Sequence, residues 1–244
     1  MIRPAAVVAQ LTVSGLLGRR RLAVLLVLPL VLLVLAGLFR AIAGRDLGTA
    51  VTLLELALGT LVPLLCVVVG TGVIGPEIED GSILYLLSKP LRRSAIVLSK
   101  LAVAIAAAWA LLVPAVLAAG WVLAGTAERL AVAYALASAV AAVAYCAVFL
   151  LLAVLTRNAV VIGLLYVLIW ETTIAGVVPG ARALSVRQWA LSLTETVLGS
   201  SAARLGVDSD VALGTALVLL VLVTASATAY AVARLRTLRL RGDD

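Results

Sequence analysis

The sequence predicts an all-α polytopic membrane protein, and three observations carry that prediction. Hydrophobic residues make up 64% of the 244 and charged residues 13%, against about 45–50% and about 25% in soluble domains. Six apolar runs approach or exceed the roughly 20 residues needed to cross about 30 Å of hydrocarbon. The cations, 19 Lys and Arg against 12 Asp and Glu for a net charge of +7, gather at the ends of those runs. A single transmembrane domain over 1–244 follows. Histidine is absent, which excludes His-based triads, His metal sites and His proton shuttles. The two cysteines, Cys66 and Cys146, lie inside apolar runs and make neither a closed metal site nor a disulfide framework.

The first run, 22–39, holds nine Leu and four Val and no charge until Arg40. At about −0.3 to −0.6 kcal/mol each, those thirteen residues favour insertion by roughly 4–8 kcal/mol. Pro29 sits mid-run and predicts a kink, which membrane helices tolerate. Residues 19–36 also fit a signal peptide, with Val34-Leu35-Ala36 as a loose cleavage site. The length of the run and the five that follow favour a span. The further spans are about 50–74, interrupted by Glu55, then 101–124, 130–155, 159–178 with Glu171 inside it, and 211–233. Residues 1–21 read as an N-terminal interfacial helix, with modest amphipathicity around Gln10 and Ser14. Two longer connections remain, 75–100 and 180–210.

Six spans put both termini on one side, and positive residues choose which. With the N-terminus inside, the inner segments hold 13 cations: Arg3, Arg19, Arg20, Arg21, Lys89, Arg92, Arg93, Lys100, Arg157, Arg234, Arg236, Arg239 and Arg241. The outer segments hold six: Arg40, Arg45, Arg129, Arg182, Arg187 and Arg204. Dropping the fifth span changes the division to 12 against 7, so the totals separate the two topologies poorly. The Arg-rich tail directly after the last span places both termini in the cytoplasm, in a cell (plasma) membrane. The net charge then reflects topology and contact with anionic membrane lipid, not nucleic acid.

Gly70-Thr71-Gly72-Val73-Ile74-Gly75 matches G-x-G-x-x-G. That pattern binds a dinucleotide only between a strand and a helix, whereas here it ends an apolar helix. No P-loop consensus occurs in the chain, so it cannot use ATP alone. The informative stretch is the loop 75–100. Glu77, Glu79 and Asp80 follow Pro76 at a predicted helix start, where the dipole favours anions. Gly81 gives a break, and Ile83, Leu84, Leu86 and Leu87 form an edge too short to span. Pro90 closes the helix, and Arg92, Arg93 and Lys100 anchor the next span. A short amphipathic helix at the cytoplasmic surface, suited to docking a soluble partner, is the expected outcome.

On these residues the chain resembles the permease subunits of ABC-2 type transporters. In that family an acidic pair precedes Gly-Ser or Gly-Thr, then come paired leucines, a Pro, a basic residue and a Lys leading into the third span. Here those are Glu77, Glu79, Gly81, Ser82, Leu86, Leu87, Ser88, Pro90, Arg93 and Lys100. The layout is similar as well: an interfacial N-terminal helix, six spans and a longer outer segment before the last. The N-terminal helix departs from the family in being weakly charged. The resemblance implies an exporter subunit that pairs with a second permease copy and two ABC ATPase subunits. ATP and Mg would be bound by the ATPases, with no cofactor in this chain. It also implies that 77–90, with Asp80, Leu84 and Arg93, is a coupling helix that transmits ATPase closure to the spans.

Glu55 and Glu171 are expected on the translocation path, because a central intramembrane charge costs about 2.5–3.5 kcal/mol and faces a cavity or partner. Arg40 and Arg45 are candidate partners for them. Small residues at four-residue spacing, Ala102-Ala106-Ala110 and Ala131-Ala135-Ala139, predict close helix contacts. Trp189, Leu193 and Val197 at i, i+4, i+8 predict an amphipathic helix in 180–210, at or dipping into the outer interface; the resemblance implies that this segment forms short re-entrant helices capping the path. Asp208, Ser209 and Asp210 are expected to cap the last span. An intramembrane enzyme would need a catalytic constellation, which no residue pattern here supplies. The alternative to an exporter is a non-transporting anchor, immunity or sensor component of an ABC-type complex.

Overall fold

A computed structural model describes residues 19–75, 93–126, 129–175 and 179–237. Among these residues every regular element is helical. The chain is thus an all-α polytopic membrane protein, with five helices long and apolar enough to span a bilayer: Leu25–Ala43, Leu47–Gly72, Arg93–Ala124, Leu130–Leu155 and Leu213–Leu235. We number the helices α1 (Arg19–Ala43), α2 (Leu47–Gly72), α3 (Arg93–Ala124), α4 (Leu130–Leu155), α5 (Ala159–Leu165, continuing as Tyr166–Ile174), α6 (Val186–Leu198), α7 (Ser200–Leu205) and α8 (Leu213–Thr237). Residues 1–18 of the predicted interfacial helix 1–21 and the residues Glu77, Glu79, Asp80, Gly81, Ser82, Leu84, Leu86, Leu87, Ser88 and Pro90 lie outside the described residues, and 19–21 begin α1.

The α1–α2 turn marks the upper end of the bundle, and the first residue of α3 marks the lower. Asp46 starts α2 by accepting from the Thr49 backbone N–H at 2.8 Å and the Thr49 hydroxyl at 2.6 Å. Those bonds, the hydroxyl first, hold its carboxyl below the usual range, as expected of a carboxylate at a helix N-cap. α1 runs unbroken through Pro29 and packs on α3.

α4 is the centre of the bundle. It contacts α2, α3, α6 and α8, and Tyr134, Tyr145, Cys146 and Phe149 on it are fully buried. Its contacts are close because glycines face it. A Cβ on Gly120 of α3 would sit 2.6 Å from the Ala131 Cβ and 2.7 Å from its Cα. One on Gly70 of α2 would sit 2.9 Å from the Phe149 Cβ and 3.3 Å from the Cys146 carbonyl oxygen. Gly70 therefore serves helix packing, which accounts for one glycine of the dinucleotide-like pattern.

The two alanine stripes part company. Ala131 and Ala135 are buried, whereas Ala102, Ala106 and Ala110 all face outward. The expectation for the Ala102-Ala106-Ala110 stripe is corrected: within the chain α3 packs instead through Leu101, Ala104, Ala108, Leu112, Ala115 and Ala119. Its outward side joins α4 and α8 in lining an apolar groove of about 650 Å³, beside which Trp109 Nε1 donates to the Ala139 carbonyl at 2.8 Å.

At the lower end two cations of α3 bond to the last carbonyls of other helices. Lys100, 0% exposed, donates from Nζ to the Val73 carbonyl at 2.5 Å. Arg93 donates to the Leu235 carbonyl. Cations at helix C-termini satisfy orphan carbonyls and complement the dipole. Lys100, expected to anchor the entry to the third span, is buried in the first turns of α3.

Candidate functional site: two glutamates at a broken helix

The fifth apolar run, 159–178, folds differently from the other five. Its helical part comprises seven residues of α-helix and nine of π-helix, about 24 Å at 1.5 Å per residue. That is short of the roughly 30 Å of a hydrocarbon core. α2 also contains a π-turn, Ala57–Leu61, and the two π-segments touch. Such wide turns are rare and recur at functional sites. Beyond α5 a one-turn helix, Pro179–Arg182, leads through Ser185 into α6. α6 packs against α4 and α8, and α7 after it reaches the start of α2.

α6 is not a surface helix. Val186, Trp189, Ala190, Leu191, Ser192, Thr194 and Leu198 are buried. Trp189 Nε1 donates back to the Ala183 carbonyl at 2.8 Å, so its ring anchors the turn before the helix. Arg187, in the first turn, lies over Gly59, twelve residues and about 18 Å along α2 from Leu47. α5 and α6 are therefore two shorter segments that meet inside the bundle.

Both membrane glutamates converge on three consecutive residues at this break. Glu171, 1% exposed, accepts from the Ser185 hydroxyl at 2.5 Å, the Val186 backbone N–H at 3.2 Å and the Tyr166 hydroxyl at 3.3 Å. Ser185 is the N-cap of α6 but makes no side-chain cap bond itself. Its hydroxyl goes to Glu171, and the carboxylate takes over the cap by accepting the Val186 N–H. A half-helix N-terminus within a membrane protein attracts an anion, and here the chain supplies its own.

Glu55 meets Arg187 at 3.5 Å, with side chains 28% and 32% exposed. Arg40 and Arg45 are not its partners; Arg187, across 132 residues, is. Sequence spacing could not find that pair, because it depends on α6 entering the bundle. Gly59 makes the room: a Cβ there would lie 2.9 Å from Arg187 Cδ and 3.0 Å from its Nε. Below the pair, Tyr145 stacks on Phe149 at 5.9 Å, and Phe149 meets Tyr166 edge-on at 6.1 Å.

The segment after α7 closes over the same place. Ser209 donates to the Gln188 carbonyl at 3.1 Å, and Arg182 pairs with Asp210 at 3.6 Å. Ser209 and Asp210, expected to cap the last span, tie its approach to the break instead. The arrangement holds the start of α6 in the upper half of the bundle. Of the sequence-predicted site residues, the structure brings Glu55 and Glu171 to one helix end and leaves Arg93 at the opposite end. Arg187, Ser185 and Gly59 are added. No protein-family model matches the chain, and no curated protein matches it in sequence.

Proposed function

We propose that the chain is the permease subunit of an ATP-driven exporter of the ABC-2 type, with a second permease copy and two ATPase subunits as partners. The observation that carries the reading is the broken helix before the last span, locked by Glu55 and Glu171 at the end opposite the 76–92 loop. An exporter needs a drive at one face and a closure at the other. The fold supports that division: Lys100 and Arg93 gather α2, α3 and α8 where the loop departs and returns, and α6 sits across the upper end.

In this reading α5 and α6 together make the fifth of six crossings, so both termini are cytoplasmic in the plasma membrane. The 13-to-6 division of cations favours that orientation. Glu77, Glu79, Asp80, Gly81, Ser82, Leu84, Leu86, Leu87, Ser88 and Pro90 then face the ATPase, with Arg93 at the foot of α3. α6 and its two glutamates close the outer mouth of the path.

The test is purification of the chain from its native membrane. A P-loop ATPase is expected to copurify and to be lost from Glu79→Arg/Leu87→Asp. An ATPase that stays bound to that variant sinks the coupling assignment. Absence of any ATPase from the wild-type preparation sinks the permease reading.

A further inference from the structure

The groove between α3, α4 and α8 holds about 650 Å³, within the roughly 300–1,000 Å³ of small-molecule sites. Ala139 and Val143 of α4 form its floor, Leu98 and Trp109 of α3 one side, and Leu217 and Val232 of α8 the other. The Thr228 hydroxyl on its lining donates back to the Thr224 carbonyl at 2.7 Å, which leaves the groove apolar. Its depth in the bundle is defined by α3. Leu98 stands five residues, about 7 Å, above Arg93, and Trp109 stands about 16 Å above Leu98. One leaflet of hydrocarbon is about 15 Å thick, half of a 30 Å core. The α3 side of the groove therefore has the length of an acyl chain that enters from the lower face.

The lower end of the groove is cationic. Arg93, partly exposed, reaches from the foot of α3 to the Leu235 carbonyl of α8, one turn below Val232. It thereby closes the groove at its foot. A guanidinium carries five N–H donors, and the carbonyl takes one. Arg236 follows Val232 by four residues, on the same face of α8, and the sequence continues with Arg239 and Arg241. This charge selects between two occupants of an apolar groove in a membrane. A second copy of the chain, related by a two-fold axis and inserted the same way up, would meet it at equal depth. The arginines of the two copies would then face one another, and like charges across an apolar interface are costly. A phosphate at the same depth pairs with them instead.

We propose that this groove binds one anionic phospholipid, with an acyl chain lying between α3 and α8 and the phosphate on Arg93 at its foot. Basic sites between membrane helices take anionic headgroups in this way. The site requires only that the chain is embedded in lipid. It shares no residue with the two-glutamate lock and needs no ATPase, so it stands or falls separately from the exporter reading.

Photolabelling of the full chain in nanodiscs of equal phosphatidylglycerol and phosphatidylcholine tests it. In parallel samples one lipid or the other carries a diazirine at the middle of an acyl chain, and adducts are mapped by peptide mass spectrometry. Phosphatidylglycerol adducts on the 98–109 and 217–232 stretches are expected to exceed phosphatidylcholine adducts roughly fivefold, the scale of one Arg beside an anionic surface. On Val160, Val161 and Ile169 of α5, which also face outward, the two probes are expected to label alike. Arg93→Gln is expected to bring the probes level in the groove. Ala225→Trp, which fills it, is expected to remove the adducts on 98–109. Equal labelling of the wild-type groove by both probes, or no preference beyond that on α5, overturns the proposal. So does a disulfide between two copies of Ala225→Cys under mild oxidation, which would put a second copy in the groove. If a variant does not fold, the labelling of the wild-type protein decides.

Discussion

At the scale of single residues, Glu171 separates charge from hydrogen bonding. Its carboxylate accepts from Ser185, Val186 and Tyr166. Glu171→Gln retains one acceptor oxygen and the shape, and loses the charge. It is expected to destabilise by about 1 kcal/mol, the scale of a helix-dipole and cap interaction. Glu171→Leu leaves the Ser185 hydroxyl and the Val186 N–H buried without an acceptor, and is expected to lose about 3 kcal/mol or more. Thermal unfolding in detergent, with proteolysis at the 183–185 turn as a local probe, measures both. Equal losses for Gln and Leu would show that the carboxylate does not cap α6. Glu55 contrasts with it. Its pair with Arg187 is one contact at 3.5 Å between two partly exposed side chains, against the three bonds that Glu171 accepts.

At the scale of elements, what decides each packing is how closely two backbones approach. Gly120 meets backbone of α4, with Ala131 Cα 2.7 Å from where a Cβ would stand, so the neighbour cannot move aside as a flexible side chain could. Gly120→Val is expected to cost about 1–3 kcal/mol through overpacking. Gly37→Ala on α1, where nothing lies within 4 Å, is expected to gain about 0.5–1 kcal/mol from helix propensity. Unfolding midpoints of the two variants moving in the same direction would contradict this reading of the α3–α4 crossing. Such contacts also set what the sequence could disclose. The runs that became α1 to α4 and α8 were legible because length and apolar content alone define a membrane helix. Ala102-Ala106-Ala110 misled because small spacing permits close approach without saying which face has a neighbour. The break after α5 was half legible: Trp189, Leu193 and Val197 marked an amphipathic helix, but its burial against α4 depends on Gly59 admitting Arg187. Glu55 and Glu171 stood out as costly residues, while their common target at 185–187 was a property of the fold.

At the scale of the whole molecule, α2 connects the two ends. Its lower end is held at Val73 by Lys100 and packs closely on α4 at Gly70, and its upper half holds Arg187 through Gly59 and Glu55. Lys100→Met removes a charged hydrogen bond to a buried carbonyl and is expected to lose about 1.5–3 kcal/mol, with faster amide exchange at 73–75. Glu171→Leu acts about 20 Å or more away, counted along α2 from Val73 to Gly59 at 1.5 Å per residue. Variants that far apart, sharing no partner, ordinarily add to within about 0.3–0.5 kcal/mol. If the bundle passes motion from the 76–92 loop to α6, the double variant Lys100→Met/Glu171→Leu must depart from additivity, by about 0.5–2 kcal/mol for coupling carried through packed helices. A double-mutant cycle on the full chain in one lipid composition measures that term. Additivity would mean that the lower cationic anchor and the upper lock are energetically independent. An ATP-driven exporter requires that link, so additivity would count against the proposed function even with an ATPase bound.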